Sequence, residues 1–213
     1  HYPTALLGDK TLTMQEYLAA RPIAEPLHLF DCVMPCAGGE GFLVMSEQRA
    51  RDLKLPFVTI AAADERHNAF AEDPIQLRSG WSEFADGLYQ RAALAPSDID
   101  LVQTYDDYPV ISALQLEGLG FFAEGGFSNF ITQTATTFNG DGLPHNTSGG
   151  QLSGGQAGSA AGYLGVVESI RQLTGSAAAN QVANAEHAMV SGYGMINYDR
   201  GLCSTACILS RGS

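Results

Sequence analysis

The sequence predicts an α/β fold in which helices cover an apolar sheet. Two observations carry this. Strand-like apolar runs alternate with segments of helical periodicity along the whole chain. One of those runs, residues 56–63 (PFVTIAAA), is apolar throughout, as expected of a strand buried on both faces. No convincing internal repeat interrupts the alternation.

The elements follow in order. Thr13 and Glu16 make a capping box that opens a short helix through about Ala20, and Pro22 ends it. Residues 27–33 read as a strand, 37–41 as a turn, 42–45 as a buried strand and 47–53 as a short helix. The strand 56–63 is followed by a polar loop over 64–79. Trp81, Phe84 and Leu88 mark an amphipathic helix over 81–94. Residues 98–105 form a strand, and a helix over 110–119 follows Pro109. Residues 125–146 form a long irregular segment, of the kind that tends to be functional inside a compact domain. Strands at 185–191 and 202–210 close the chain, joined across 192–201.

The stretch 143–175 stands apart. Its first half is a glycine-dense polar loop and its second half a helix, with Leu164, Val167, Ile170 and Leu173 at three-residue spacing and Gly175 as the stop. Its early turns hold almost no side-chain volume: Gly154, Gly155, Ala157, Gly158, Ala160, Ala161 and Gly162. That composition predicts a helix approached closely by other backbone, with its N-terminus aimed at an anionic or carbonyl group. A tightly packed core helix behind an ordinary glycine loop is the other reading. No Gly-Lys-Ser/Thr and no dinucleotide fingerprint is present, so neither phosphate-loop reading applies.

The 213 residues can bury a substantial core in one or two domains. The net charge of −12 argues against nucleic acid and against anionic membrane surfaces, while leaving an anionic substrate open. No apolar run is long enough for a membrane-spanning helix. No secretory leader is visible, and the start at His1 reads as a processed or truncated piece. Cys32, Cys36, Cys203 and Cys207 lie in or beside apolar runs, which favours structural thiols over a metal or a disulfide and fits a cytoplasmic setting.

The residues from Asn146 through Ser148, Gly149 and Gly150 to Gly162 resemble the C-terminal signature of the thiolase superfamily. There, Asn-Pro-Ser-Gly-Gly runs on into Gly-His-Pro-x-Gly-Ala-Thr-Gly. The sequence is most similar to the thiolase-like branch of lipid-transfer and steroid side-chain-cleaving proteins, over most of its length. The resemblance implies a layered αβαβα fold of two similar halves. Residues 1–63 correspond to the tail of the first half, 64–79 to a connecting loop and 80–213 to the second half. It implies an acyl-CoA thioester as substrate, with coenzyme A as part of that substrate, no resident cofactor and no metal. It also implies a homo- or hetero-oligomer, with a small OB-fold, zinc-ribbon acyl-CoA-binding protein as partner. The family's nucleophilic cysteine and much of its coenzyme contact belong to the earlier part of the first half, outside this stretch.

Three catalytic loops of that family have counterparts here. The first is Tyr105-Asp106-Asp107-Tyr108, the second Gly155-Gln156-Ala157 and the third Gly192-Tyr193-Gly194. A further motif near the coenzyme is replaced by Ala37-Gly38-Gly39-Glu40. Claisen chemistry needs proton transfer at the third loop. Glycine cannot titrate there, and a neutral Gln at the second loop donates a hydrogen bond without shuttling a proton. The resemblance therefore implies retro-aldol cleavage of a β-hydroxyacyl-CoA, with Tyr105 and Tyr193 as acid/base groups and Asp106 and Gln156 beside them. An acyl-CoA acyltransferase and a non-catalytic scaffolding subunit are the alternatives. Asn146, Ser148, Gly149, Gly150, Gly194 and Tyr198 are the expected substrate contacts. Each has a plainer reading: Tyr105 as a strand-end aromatic, Asp106 or Asp107 as an N-cap before Pro109, Tyr198 as part of a turn, Asn146 and Ser148 as loop braces, and His67 and His145 as solvated or capping histidines.

Overall fold

A computed structural model describes residues 2–8, 10–73, 77–78, 80–197 and 200–212. Its centre is a four-stranded mixed sheet. The strands are β3 (Val58–His67), β4 (Leu101–Gln103), β5 (His187–Asn197) and β6 (Arg200–Arg211), after a small ribbon of β1 (Pro22–Ala24) and β2 (Leu27–His28). The order is β3-β6-β5-β4, with β4 parallel to β5 and the other pairs antiparallel.

Strand alternation sends neighbouring residues into two separate cores. Val102, Met189 and Ile208 meet Trp81, Phe84 and Leu88 of helix α3 (Trp81–Ala92) and Leu116 of α4 (Pro109–Gly118). Leu101, Ala188, Val190 and Leu209 meet Leu173 of α7 (Leu164–Leu173), with Val182 and Ala185 beside it. Helices therefore cover both sides of β4 and β5, which explains apolar runs without a polar face. Leu101, Met189 and Ile208 are fully buried, each contributing about 1.5–3 kcal/mol relative to exposure. The sequence expectation of helices over an apolar sheet holds.

Several local expectations change. The strand expected at 56–63 runs on to His67 and is an edge strand, paired only with β6 among the described residues. Ala62 is buried but Ile60 is 67% exposed, so the strand is not buried on both faces. The domain boundary expected after residue 63 falls inside this strand, and the first residues of the expected 64–79 loop belong to it. The strand expected at 27–33 shortens to β2 and gives way to a 3-10 turn, Leu29–Asp31, where Asp31 accepts the His28 N–H at 2.7 Å. Residues 42–45 form no strand; Leu43 and Val44 are each 82% exposed. An apolar run without a neighbouring strand has no ladder to join. The capping box at Thr13 and Glu16 is present and opens α1 (Met14–Leu18), and α2 (Glu47–Asp52) lies where a helix is expected. The strand expected at 98–105 contracts to β4 after a 3-10 turn, and the irregular 125–146 segment contains helix α5 (Phe127–Gln133). Among the described residues, no helix is long and apolar enough to cross a membrane.

The small-residue stretch is not one helix. It divides into α6 (Gly150–Gly154), a break at Gly155 with φ 102°, a 3-10 turn Gly158–Tyr163 and then α7. Gly154, Gly158 and Gly162 face open space where a side chain would begin, so the expected close backbone approach is absent there. It occurs at Gly155, where a Cβ would stand 2.8 Å from both Cys36 Sγ and Leu6 Cδ1, and again at Gly165. A Cβ on Gly165 would stand 3.0 Å from Gln103 Cβ and 3.3 Å from Val190 Cγ1, because α7 crosses the sheet at that point.

Gly165→Leu is therefore expected to destabilise the protein by roughly 1–3 kcal/mol through overpacking, whereas Gly162→Ala stays near wild type. Chemical denaturation of both variants checks this; equal midpoints would mean α7 does not seat on the sheet at Gly165.

Candidate active site

The loop before α6 is laid along the end of β4. Val102 donates its N–H to Pro144 O at 2.9 Å, and Asn146 donates to Val102 O at 3.0 Å. Asn146 takes a left-handed φ of 44°, and its Oδ1 accepts the Thr104 N–H at 2.8 Å. Asn146 thus braces the loop through its side chain. Thr147 is anchored behind it: its hydroxyl donates to the buried Glu168 carboxylate at 2.5 Å and accepts from Gln103 Nε2 at 3.0 Å. Glu168 also accepts from the Tyr2 hydroxyl and from Gln172 Nε2, each at 2.9 Å.

Asp106 caps α6, not the helix after Pro109 as one reading of the sequence has it. Its Oδ1 accepts the Gln151 N–H at 2.8 Å and its Oδ2 the Leu152 N–H at 3.3 Å. The N-cap of α4 is Tyr108, without a side-chain bond. Gly150 makes this possible: its φ is 61°, and any Cβ would fall on the Asp106 carboxylate. Burial pushes the Asp106 carboxyl up to about 6, while the backbone N–H groups and Asn146 hold it back from rising further.

Tyr105 is held at both ends. Its N–H donates to Gln115 Oε1 at 3.0 Å and its C=O accepts from Gln115 Nε2 at 2.6 Å. Gln115, fully buried on α4, also takes the Ser191 hydroxyl at 2.7 Å and so links Tyr105 to β5. At the other end, Gln156 Nε2 lies 2.8 Å from the Tyr105 hydroxyl, 2.8 Å from Asp107 Oδ1 and 3.2 Å from Gln151 Oε1. Two amide hydrogens serve three acceptors. Burial, then the Asp107 charge, raises the Tyr105 phenol above its ordinary value; Asp106 adds less, and the Gln156 bond opposes the rise. Of the two neighbouring carboxylates, Asp107 makes the larger contribution.

Tyr193 lies within β5 opposite Ser204, so Gly192 and Gly194 belong to a strand and not to a connecting turn. Its hydroxyl accepts the Gly201 N–H at 2.8 Å, and its ring centroid stands 5.8 Å from that of Trp81. Burial raises this phenol too, opposed by Gly201 and Arg200. Tyr105, Asp106, Asn146, Ser148, Gly150, Tyr193 and Gly194 all line one cavity of about 330 Å³. Gln156 reaches the cavity through Tyr105 and does not line it. Gly149 is exposed and serves the turn, donating its N–H to Asn146 O at 2.7 Å. Tyr198 lies outside the described residues. A second cavity of similar size shares Ser148, Gly150, Ala161 and Leu164 with the first and extends to Cys36, Gly38, Gly39 and Glu40.

Sequence reasoning missed Gln115, Thr104, Ser191 and Glu168. Gln115 carried a signal, since it lies with Ser112, Leu116 and Leu119 on the buried face of α4, where a polar residue needs a partner. His145 is also misread as solvated. Its Nε2 lies 2.7 Å from Thr104 Oγ1, and burial lowers it to about 4, so the imidazole is neutral.

The Asp106 carboxyl rises from the ordinary 3.8 to about 6 in the fold. A raised folded-state value adds stability that is complete below the unfolded value and is lost as pH climbs through the folded one. Relative to Asp106→Asn, which cannot ionise, the native protein should therefore gain about 2 kcal/mol between pH 7 and pH 4. Paired denaturation curves across that range check it; a constant difference would remove the buried charge from Asp106.

A family model described as thiolase C-terminal domain-like matches residues 61–210. The chain is 35% identical over 199 residues to a 17-hydroxy-3-oxo-4-pregnene-20-carboxyl-CoA lyase of Mycobacterium tuberculosis, covering 89% of this chain and 50% of that protein. It is 33% identical to a steroid side-chain-cleaving aldolase of Thermomonospora curvata, covering 89% and 49%. An acetyl-CoA acetyltransferase of Methanothermobacter thermautotrophicus is also similar, at 28% identity over 86% and 48%. Among solved structures, an Ltp2-ChsH2(DUF35) aldolase superposes with a TM-score of 0.77 at 28% identity, covering 98% of this chain and 54% of that one. The chain spans about half the length of these relatives. With residues 61–210 matched and the sheet, helices and glycine loop in thiolase-like order, the chain belongs to the thiolase C-terminal domain-like family.

Proposed function

We propose that this chain is the C-terminal part of an acyl-CoA lyase that cleaves a β-hydroxyacyl-CoA by retro-aldol chemistry, with Tyr105 as the acid/base group. The observation that supports it is the double hold on Tyr105, by Gln115 at the backbone and Gln156 at the hydroxyl, on the wall of a cavity that also holds Tyr193. The names of two similar proteins, a carboxyl-CoA lyase and a side-chain-cleaving aldolase, agree with it.

The reaction moves one proton. The Tyr105 phenolate takes the proton of the β-hydroxyl; the β-oxygen closes to a carbonyl as the Cα–Cβ bond breaks. The electron pair passes into the thioester as an enolate, and the phenol then returns the proton to Cα. The raised phenol makes a stronger base that is scarce at neutral pH, and the Gln156 N–H favours its charged form. Because the Gln156 amide is already shared among Tyr105, Asp107 and Gln151, its role is to tune Tyr105, not to bind the enolate oxygen. The Ser148 hydroxyl, which accepts the Gly150 N–H, can direct its own proton to that oxygen. Tyr193 orders the cavity wall. The second cavity, past Ser148 toward Gly39, takes the coenzyme arm of the substrate.

An acyltransferase is the weaker reading, because Gly192-Tyr193-Gly194 offers no thiol and the cavity's own thiol, Cys203, is pushed up by burial and by Glu65. A non-catalytic scaffold leaves the Tyr105 arrangement without a purpose. The remaining half of the enzyme and an OB-fold, zinc-ribbon acyl-CoA-binding partner complete the proposed assembly, and the two-part name of the similar aldolase agrees with a second component. Four unpaired cysteines fit the proposed cytoplasmic setting.

Tyr105→Phe, made in the full-length protein with its partner, should lower release of the carbonyl product by about 10²-fold or more with little change in KM. In the native enzyme the rate should climb with pH through the neutral range, because the phenolate fraction climbs, and Tyr105→Phe should flatten that slope. Near-native turnover in the variant would remove Tyr105 from the mechanism.

A further inference from the structure

The free edge of the sheet carries a cluster that the reaction above does not use. Glu65 and His67 are two apart on β3 and project from the same face. Cys203 on β6 is the register partner of His67. Its Sγ stands 3.8 Å from His67 Nε2, which stands 3.3 Å from Glu65 Oε1, and all three donor atoms lie within 4.8 Å of one another. We propose that Glu65, His67 and Cys203 form a zinc-class divalent metal site with its fourth position open to solvent.

The spacing matches the ion. Zinc binds sulfur at about 2.3 Å, and nitrogen and oxygen at about 2.0–2.2 Å; a tetrahedron of those lengths sets sulfur and nitrogen about 3.6 Å apart and nitrogen and oxygen about 3.3 Å apart. The sulfur–nitrogen and nitrogen–oxygen edges are therefore nearly in place, held by a strand pair. A thiolate with an imidazole and a carboxylate suits zinc, whereas magnesium and calcium call for oxygen alone. The two neighbouring acid–base pairs, Asp64 with Arg91 and Arg66 with Glu83, are made to α3 on the opposite face. Metal ligation requires the thiolate, so binding at Cys203 should expel the thiol proton. The sequence reading took all four cysteines as structural thiols. Cys203 and Cys207 are four residues apart on one strand, about 13 Å, too far to share an ion; the partners lie across the ladder instead. Cys203 also lines the cavity of Tyr105 and Tyr193, which puts the ion at its lip.

The test strips the full-length protein with a chelator and titrates it with Co²⁺. One equivalent should produce a thiolate-to-cobalt charge-transfer band and visible bands of tetrahedral intensity, both removed by zinc, with about one proton released per ion. Cys203→Ser should abolish the thiolate band. His67→Ala should weaken binding by roughly tenfold or more, a scale that outer-shell changes already reach. Cys207→Ser should leave both unchanged. In the native sequence, zinc should protect Cys203 from alkylation as read by peptide mapping, which serves where a variant fails to fold. No thiolate band at equimolar cobalt, a band that survives Cys203→Ser, or equal alkylation with and without zinc would overturn the site.

Discussion

The contact between the Asp106 carboxylate and the start of α6 is the constraint around which the site is arranged. It ties the end of β4 to the glycine loop, and so sets where Tyr105 and Ser148 stand relative to each other. A buried carboxylate costs several kcal/mol to desolvate. Charge-assisted bonds from two N–H groups offset much of that, and the carboxyl value of about 6 shows that the compensation is incomplete. The arrangement needs a residue without a side chain at Gly150, with φ at 61°, since any Cβ would occupy the carboxylate's place.

Behind that contact lies a polar network that fixes the loop from below. Thr147, Glu168, Gln172 and Gln103 are buried, and they bond to one another at 2.5–3.1 Å. Asn180 adds a bond to the Thr147 carbonyl at 2.7 Å, and Tyr2 reaches Glu168 from the chain's beginning. Satisfied networks of this kind are directional, unlike apolar packing, and they select one loop conformation. Among the described residues Asn180 Oδ1 has no hydrogen-bond partner, so the network stops at that atom.

The sheet distributes roles by position. β5 and β4 lie under helices on both faces and hold the residues of the cavity; β3, at the edge, carries charged groups along its outer half. Edge strands with charges resist pairing with a further strand. The same position leaves Glu65 and His67 exposed beside Cys203. The chain covers about half the length of its relatives, and Leu43, Val44 and Ile60 are large apolar side chains left at the surface.

Periodicity determined the helices α3 and α7, because a 3.6-residue pattern reports one buried face whatever covers it, and Pro109 marked the start of α4. Motif order pointed to the family and brought Tyr105, Asp106, Asn146, Ser148 and Tyr193 forward as one set, and they line one cavity. The tertiary structure decided the rest. Whether an apolar run becomes a strand depends on a partner ladder, which, among the described residues, 42–45 lack and β3 finds on one side. Whether Asp106 caps the helix after it or one begun by Gly150 depends on which free N–H groups the fold brings within reach, and those lie 45 residues away in sequence. The Gln115 hold and the pairing of His67 with Cys203 are likewise contacts between distant segments. Local pattern encodes the face a residue presents, and only chain packing chooses what stands opposite it.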